Sequence, residues 1–212
     1  MTKLAIFLMG AGATGKTTTR NTFCQGAGKE ISKMGKFIKK RMPNRGATIE
    51  QKYSIVQYDN CVLVGNKNCG TDSITTPSLV RTGFFDALEL SDTVIIDGVM
   101  STSRWVEMVN EYRHKQDIRV VVVHYDFAVE KIRERLSLRR KNAGIVEERL
   151  PDLTFNNVQV FTDRAKMCVG YFLDLCRAPV TLVKVDFEDS PEQVVQKLQQ
   201  GIKECLSTAP IL

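Results

Sequence analysis

The stretch Gly10-Ala11-Gly12-Ala13-Thr14-Gly15-Lys16-Thr17 fits G-x-x-x-x-G-K-[ST] and follows directly on the apolar run Leu4-Ala5-Ile6-Phe7-Leu8-Met9. Its reading decides the fold. Glycines let a backbone curl until consecutive N–H groups point at one anion, and the helix that follows adds the positive end of its dipole. In this pattern Gly10, Gly12, Ala13, Thr14, Gly15 and Thr18 form the cradle, Lys16 spans the β- and γ-phosphates of a nucleotide, and Thr17 offers a hydroxyl to Mg²⁺. The motif requires a strand before it and a helix after it. Residues 3–9 read as a buried strand, and Thr17 to Cys24 contains neither Gly nor Pro, so both are predicted.

With 212 residues and 43% hydrophobic content, the chain is long enough for one sizeable core and short for two, so residues 1–212 are expected to form a single domain with insertions. The first apolar run spans only six residues and leads into a glycine-rich loop rather than a cleavage site, which argues against a secretory leader. No run approaches the ~18 apolar residues of a membrane span. A soluble, cytoplasmic protein with no membrane partner is expected. The six cysteines (Cys24, Cys61, Cys69, Cys168, Cys176, Cys205) include no C-x-x-C pair and have only His114 and His124 as companions, so neither a zinc site nor a disulfide framework is favoured.

The formal net charge is +6, and it is local. Residues 29–52 carry eight basic side chains (Lys29, Lys33, Lys36, Lys39, Lys40, Arg41, Arg45, Lys52) against Glu30 and Glu50, which leaves 22 of the 30 basic and 22 of the 24 acidic residues to balance elsewhere. Within this segment Ile31, Met34, Phe37, Ile38 and Met42 recur at helical spacing, so a basic helical insertion lying on the core is expected. Its charge has two readings, a solvated face or an electrostatic footprint for a polyanion such as DNA.

Residues 53–65 read as two short strands about Asp59-Asn60, followed by the polar segment Asn66 to Ser73. A loop at the end of the second strand in such a fold lies over the phosphate loop, where an acceptor would bind. Thr76-Pro77 starts a helix to about Leu90, with Thr as cap and Pro in first position. Thr93-Val94-Ile95-Ile96-Asp97 is an apolar strand ending in an acid, the position of the carboxylate that joins the magnesium shell in phosphate-loop proteins. Gly98 then lets the chain turn closely past a ligand. Ser101-Thr102-Ser103 offers the cap of a helix through Trp105 to Tyr112, with Arg104 in its first turn.

Arg119 to His124 reads as a buried strand whose β-branched run suits the centre of a parallel sheet. The helix after it, about Ala128 to Lys141, carries Arg133, Arg135, Arg139 and Arg140. These arginines either pair with Glu130 and Glu134 on a surface or belong to a lid over about 131–150, where Arg133, Arg139 and Arg140 would neutralise a transferring phosphoryl group. A helix from about Asn157 to Cys176, a strand Val180 to Val185 and a last helix opened by the capping-box pattern Ser190-Pro191-Glu192-Gln193 complete the chain. Strands alternating with helices give an α/β, three-layer P-loop NTPase fold with a parallel sheet.

Among proteins with such a loop, a GTPase needs N-K-x-D, and Asn66-Lys67-Asn68-Cys69 lacks the aspartate. A motor or helicase ATPase usually needs a longer chain and partner subunits. Length, lid and acceptor loop together fit a small kinase. The phosphate loop, Ile95-Ile96-Asp97-Gly98 and the arginine-bearing segment resemble the nucleoside/nucleotide-kinase group of P-loop kinases over most of the chain. That resemblance implies binding of ATP-Mg, a lid that closes over it, and an acceptor between the second strand and the helix after Asp97. The adenylate-kinase pattern D-G-[FY]-P-R is replaced by Asp97-Gly98-Val99-Met100-Ser101, which removes the arginine that would hold an acceptor monophosphate. More narrowly, Val62-Leu63-Val64-Gly65 followed by Cys69-Gly70-Thr71-Asp72-Ser73-Ile74 looks like the G…C-G-G-x-D-x-I segment of bacteriophage kinases acting on 5-hydroxymethyluracil in DNA during thymine hypermodification, with Thr71 as a departure.

The residues lean the same way. Phosphorylating a hydroxyl calls for a carboxylate to accept its proton, whereas phosphorylating a phosphate calls mainly for arginines. Asp72, in a polar, glycine-bearing loop, is the candidate base, with Asp59 as fallback. The expected protein is an ATP-dependent kinase acting on a hydroxymethyl pyrimidine in DNA. Lys16, Asp72 and the lid arginines would be catalytic, Thr17 and Asp97 would hold Mg²⁺, and segment 29–52 would grip the DNA. A kinase of a free nucleoside or nucleoside monophosphate and a non-catalytic, nucleotide-gated DNA-binding module are the alternatives. Adenine is expected near the lid and the loop after Val185.

Overall fold

Strand β1 (Lys3–Met9) is buried along its whole length and lies near the middle of a seven-stranded sheet. This computed structural model describes residues 2–41, 45–74, 76–98, 103–142 and 157–208, leaving out the side chains of 37–41, 45–49 and Arg140. Two strands follow β1 as a long antiparallel hairpin, β2 (Lys29–Arg41) and β3 (Arg45–Gln57), and β3 is antiparallel in turn to β4 (Val62–Val64). From β4 onward the neighbours are parallel: β5 (Thr93–Asp97), β1, β6 (Ile118–Tyr125) and β7 (Val180–Val185). The order is β2-β3-β4-β5-β1-β6-β7, so the sheet is mixed, not wholly parallel as expected.

The helices are α1 (Lys16–Phe23), α2 (Pro77–Leu90), α3 (Arg104–Arg113), α4 (Val129–Asn142), α5 (Val158–Leu175) and α6 (Pro191–Ser207). Alternation along the strands sends side chains to two cores, one on each face. Ala5, Phe7, Val94, Ile96, Val120 and Val122 pack with residues of α2, α3 and α5, where Phe7 meets Phe172 at 4.6 Å and Trp105 at 5.4 Å between ring centroids. Leu4, Ile6, Leu8, Ile95, Val121 and Val123 pack with Ile132 and Leu136 of α4 and with Val194, Leu198 and Cys205 of α6. Helices therefore cover both faces, and the three-layer α/β arrangement follows from the sheet being apolar on both sides. Among the described residues no helix is long and apolar enough to cross a membrane.

The basic segment is a hairpin, and the helical expectation for it is wrong. Ile31, Lys33 and Gly35 turn towards α2 while Ser32, Met34 and Lys36 are exposed, a period of two rather than 3.6. Met34, which helical spacing would bury, is 56% exposed. Asp86 of α2 accepts hydrogen bonds from Lys33 Nζ (2.7 Å) and Tyr53 Oη (2.6 Å), which seats the base of the hairpin. Thirteen cross-strand pairs, from Lys29↔Gln57 to Arg41↔Arg45, outweigh the weak local propensity that the apolar spacing suggested. Met42 lies outside the described residues.

Register fixes the direction of this arm. Ile55 pairs with Val64 at the carboxyl end of β4, and β4 runs parallel to β5. Residues Arg45 to Tyr53 therefore continue past the sheet edge at which Asp97 ends β5, a reach of about 30 Å for nine extended residues. A Cβ built on Gly35 would lie 2.3 Å from Leu79 Cδ2. Gly35→Ala is therefore expected to lower the urea midpoint, by about 1–3 kcal/mol of stability for an overpacked contact. In an exposed helix the same substitution would raise stability by up to about 1 kcal/mol, so the sign of the shift tests the hairpin.

Candidate active site at the carboxyl edge of the sheet

The turn from β1 into α1 is built by two left-handed residues, Ala13 (φ 60) and Gly15 (φ 97). Gly10 is required for a different reason: a Cβ there would lie 2.8 Å from Tyr125 Cβ on β6. Inside the turn Thr14 Oγ1 donates to Ala11 O at 3.0 Å, and Lys16 Nζ donates to Gly10 O at 2.8 Å and to Ala11 O at 2.6 Å. Lys16 thus folds back on its own loop and is 7% exposed. Burial pushes the Lys16 ammonium below its ordinary range, and Asp97 and Asp72 pull the other way.

Asp97 closes β5 at the same edge and is 4% exposed. Its Oδ2 accepts from Thr17 Oγ1 at 3.3 Å and from Arg20 Nη1 at 3.0 Å. The segment 66–74 is pressed against this strand end. Thr71 Oγ1 donates to Asp97 O at 3.0 Å, and Gly70, in a conformation reserved for glycine (φ 54, ψ −137), approaches so closely that a Cβ would lie 2.1 Å from that oxygen. A Cβ on Gly98 would meet Thr71 Oγ1 at 2.1 Å and Asp72 Oδ1 at 2.8 Å. Gly98 turns past the segment 66–74, so the close approach expected of it is made to the protein itself.

These elements enclose a cavity of about 610 Å³ lined by Gly12, Ala13, Thr14, Gly15, Lys16, Thr17 and Thr18, by Asn68, Cys69 and Asp72, and by Asp97, Arg135 and Arg139. The loop residues, Lys16, Thr17, Asp97 and Asp72 are thereby brought together. Gly10 supports the turn from behind rather than lining it. Of the arginines expected in a lid, Arg139 lines the cavity and Arg133 does not. Arg135 lines it in Arg133's place, because residues four apart share a helix face whereas residues two apart lie about 200° round. The Arg140 side chain and residues 143–150 of the expected lid lie outside the described residues. So do Ser101 and Thr102; Ser103 precedes α3 without a side-chain capping bond, and Arg104 does not line the cavity. Asp59, the fallback base, sits in the turn between β3 and β4, bonded through its N–H to Gln25 O, at the opposite sheet edge.

A second, smaller cavity of about 170 Å³ adjoins the first and shares Thr14, Gly15, Thr18 and Arg135 with it. Its walls include Tyr125, Phe127, Val185, Phe187 and Asp189. The Arg135 guanidinium lies 3.9 Å from the Phe187 ring centroid and donates to Phe187 O at 2.9 Å. This partly aromatic slot beside the loop offers ring faces to a planar group.

Sequence reasoning missed Arg20. It sits one helical turn after Lys16, is 1% exposed, and pairs with Asp97. A cation at that spacing behind the loop, with no acid nearby in α1, was the available signal. Among the described residues no group of three or more His, Cys, Asp or Glu gathers, so a divalent cation here would depend on Thr17, Asp97 and a ligand's own oxygens. The two protein oxygens, 3.3 Å apart, fit adjacent positions on Mg²⁺, which at ~2.1 Å ligand distance lie about 3 Å apart. All six cysteines are free thiols, His114 follows the last residue of α3, and His124 lies inside β6, where burial holds its pKa below the ordinary value.

No protein-family model matches this chain, and no curated protein matches it significantly. The Lys16 geometry generates a sharp expectation. A lysine whose folded pKa is depressed by burial weakens the fold at every pH below its unfolded value, so Lys16→Met should melt no lower than the parent protein without ligand. Any stabilisation that a polyphosphate anion gives the parent in thermal-shift measurements, about 2.7 kcal/mol at a hundredfold excess over its Kd, should be lost in the same variant.

Proposed function

We propose that the protein is an ATP-dependent kinase that transfers the γ-phosphoryl group to a hydroxyl, and that the hydroxyl belongs to the hydroxymethyl group of 5-hydroxymethyluracil in DNA. The observation that carries the transfer reading is that Lys16, Thr17, Asp97, Asp72 and Arg139 line one cavity. Phosphoryl transfer needs positioning and charge stabilisation more than covalent chemistry, and this set supplies both signs of charge around one volume.

In this reading the backbone N–H groups of Gly12 to Thr18 cradle the β-phosphate, and Lys16 exchanges the carbonyls of Gly10 and Ala11 for phosphate oxygens. Thr17 and Asp97 would hold Mg²⁺, which would supply positive charge to offset that of the phosphates. The slot between Arg135, Phe127 and Phe187 takes the base. Asp72 accepts the proton of the acceptor hydroxyl as its oxygen attacks the γ-phosphorus. The bond from that phosphorus to the β,γ-bridging oxygen breaks, ADP leaves, and a phosphomonoester remains. Arg139 stabilises charge on the equatorial oxygens.

Two observations support the acceptor. The segment 66–74, which faces the loop across the cavity, carries Asp72 and no arginine, which suits a hydroxyl rather than a phosphate. The hairpin concentrates the whole positive excess of the chain and rises past the cavity's edge of the sheet, which suits a polyanion lying over the opening. A base in duplex DNA has to be flipped to meet the γ-phosphate.

Asp72→Asn is expected to lower kcat by about 10²–10⁴ on modified DNA while ATP and DNA affinities stay at parent values; full turnover in that variant would remove Asp72 from the mechanism. The triple variant Lys39→Glu, Lys40→Glu, Arg41→Glu should weaken DNA binding and reduce the log–log salt slope by about 3 if each parent side chain contacts a phosphate. Turnover on free 5-hydroxymethyl-2′-deoxyuridine should survive in that variant. Unchanged DNA binding would reduce the hairpin to a solvated arm and favour the free nucleoside as acceptor.

A further inference from the structure

The geometry points to Arg20 as a positioning residue that fixes the segment 66–74 against the Asp97 carboxylate, and so sets where Asp72 stands relative to the phosphate loop. The inference rests on the phosphoryl-transfer reading of the same site. A guanidinium taken out of water must find partners for a rigid, planar fork of donors, because an unpaired buried charge is costly. Arg20 spends that fork on three segments at once. Nη1 donates to Asp97 Oδ2 at 3.0 Å, Nη2 donates to Lys67 O at 2.6 Å, and Nε and Nη2 donate to Asn21 Oδ1 at 3.2 and 3.0 Å.

The consequence is a bracket. Lys67, near the start of the segment, hangs on the Arg20 fork, and Thr71, immediately before Asp72, hangs on the Asp97 carbonyl. The second attachment reaches Asp97 directly and the first reaches it through Arg20. Arg20 itself does not line the cavity, so it acts through Asp97 and Lys67 rather than on a ligand. A lysine keeps the charge but offers a single ammonium, which cannot span the carboxylate and the carbonyl with fixed geometry. Loss of the fork therefore releases the Lys67 end of the bracket, and displacements near 1 Å in such sites cost about 10² in rate.

The test uses full-length Arg20→Lys, Arg20→Gln and Arg20→Gly proteins, assayed below their melting temperatures. Expected in each is an ATP-Mg Kd within about threefold of the parent, a kcat lower by about 10²-fold, and a raised KM for the acceptor. Millimolar guanidinium should restore turnover in Arg20→Gly without changing its Kd for ATP. Should the glycine variant not fold, Arg20→Lys carries the test alone. Hydrogen exchange reads the bracket without reference to turnover: amides of 66–74 should exchange faster in Arg20→Lys, with those of α2 unchanged. Parent-level kcat and KM in Arg20→Lys, or unaltered exchange across 66–74, would overturn the inference, as would ATP affinity falling in step with kcat. A parent protein that transfers phosphate to no acceptor, yet loses exchange protection in 66–74 on Arg20→Lys, would sink the kinase reading and leave the bracket standing.

Discussion

The carboxylate of Asp97 is buried where β5 ends, and the site depends on its being held there. Arg20 and Thr17 hold its side chain, Thr71 holds its carbonyl, and the glycines at 70 and 98 let segment 66–74 press against it. A buried pair of this kind contributes little net stability compared with apolar residues of the same volume, but removing one partner costs about 3–5 kcal/mol by stranding the other. Its value lies in specification. Three stretches of chain separated by tens of residues, α1, segment 66–74 and β5, meet at one residue.

The sheet explains why they meet. Parallel strands deliver every strand-to-helix loop to one edge, so the turn after β1, the end of β5 and the start of the segment after β4 are neighbours by topology. The hairpin adds its length on the same side. The basic hairpin and the carboxylates of the cavity therefore share one edge of the sheet. Under the proposed function, a single approach of a polyanion to that edge reaches both.

Much of this was legible in the residues. The strand Val180–Val185 is written in its β-branched run and the helix starts at Pro77 and Pro191 in proline at the first position, which are local signals, although Thr76 makes no side-chain capping bond and donates to Gln51 Oε1 instead. Ser190 and Gln193 form the reciprocal capping bonds their spacing predicts. The hairpin was illegible because Ile31, Met34 and Ile38 satisfy a helical period by coincidence, and the partners that decide the matter, Ile55, Lys52 and Thr48, lie ten to 24 residues away. Arg20 was illegible for a related reason: a cation inside a short helix looks solvated until the acid it meets, 77 positions later, is known. Arg135 could have been preferred to Arg133 from helix geometry, since it shares a face with Arg139.

The central claim is that this cavity moves a phosphoryl group from ATP to a hydroxyl on DNA. The most direct measurement is transfer of labelled γ-phosphate from ATP-Mg, run in parallel on DNA containing 5-hydroxymethyluracil, on ordinary DNA, on free nucleosides and on nucleoside monophosphates. The account predicts label in the modified DNA, at the hydroxymethyl oxygen, and none in ordinary DNA. Label confined to a free nucleoside or monophosphate, or no transfer to any acceptor, would contradict it.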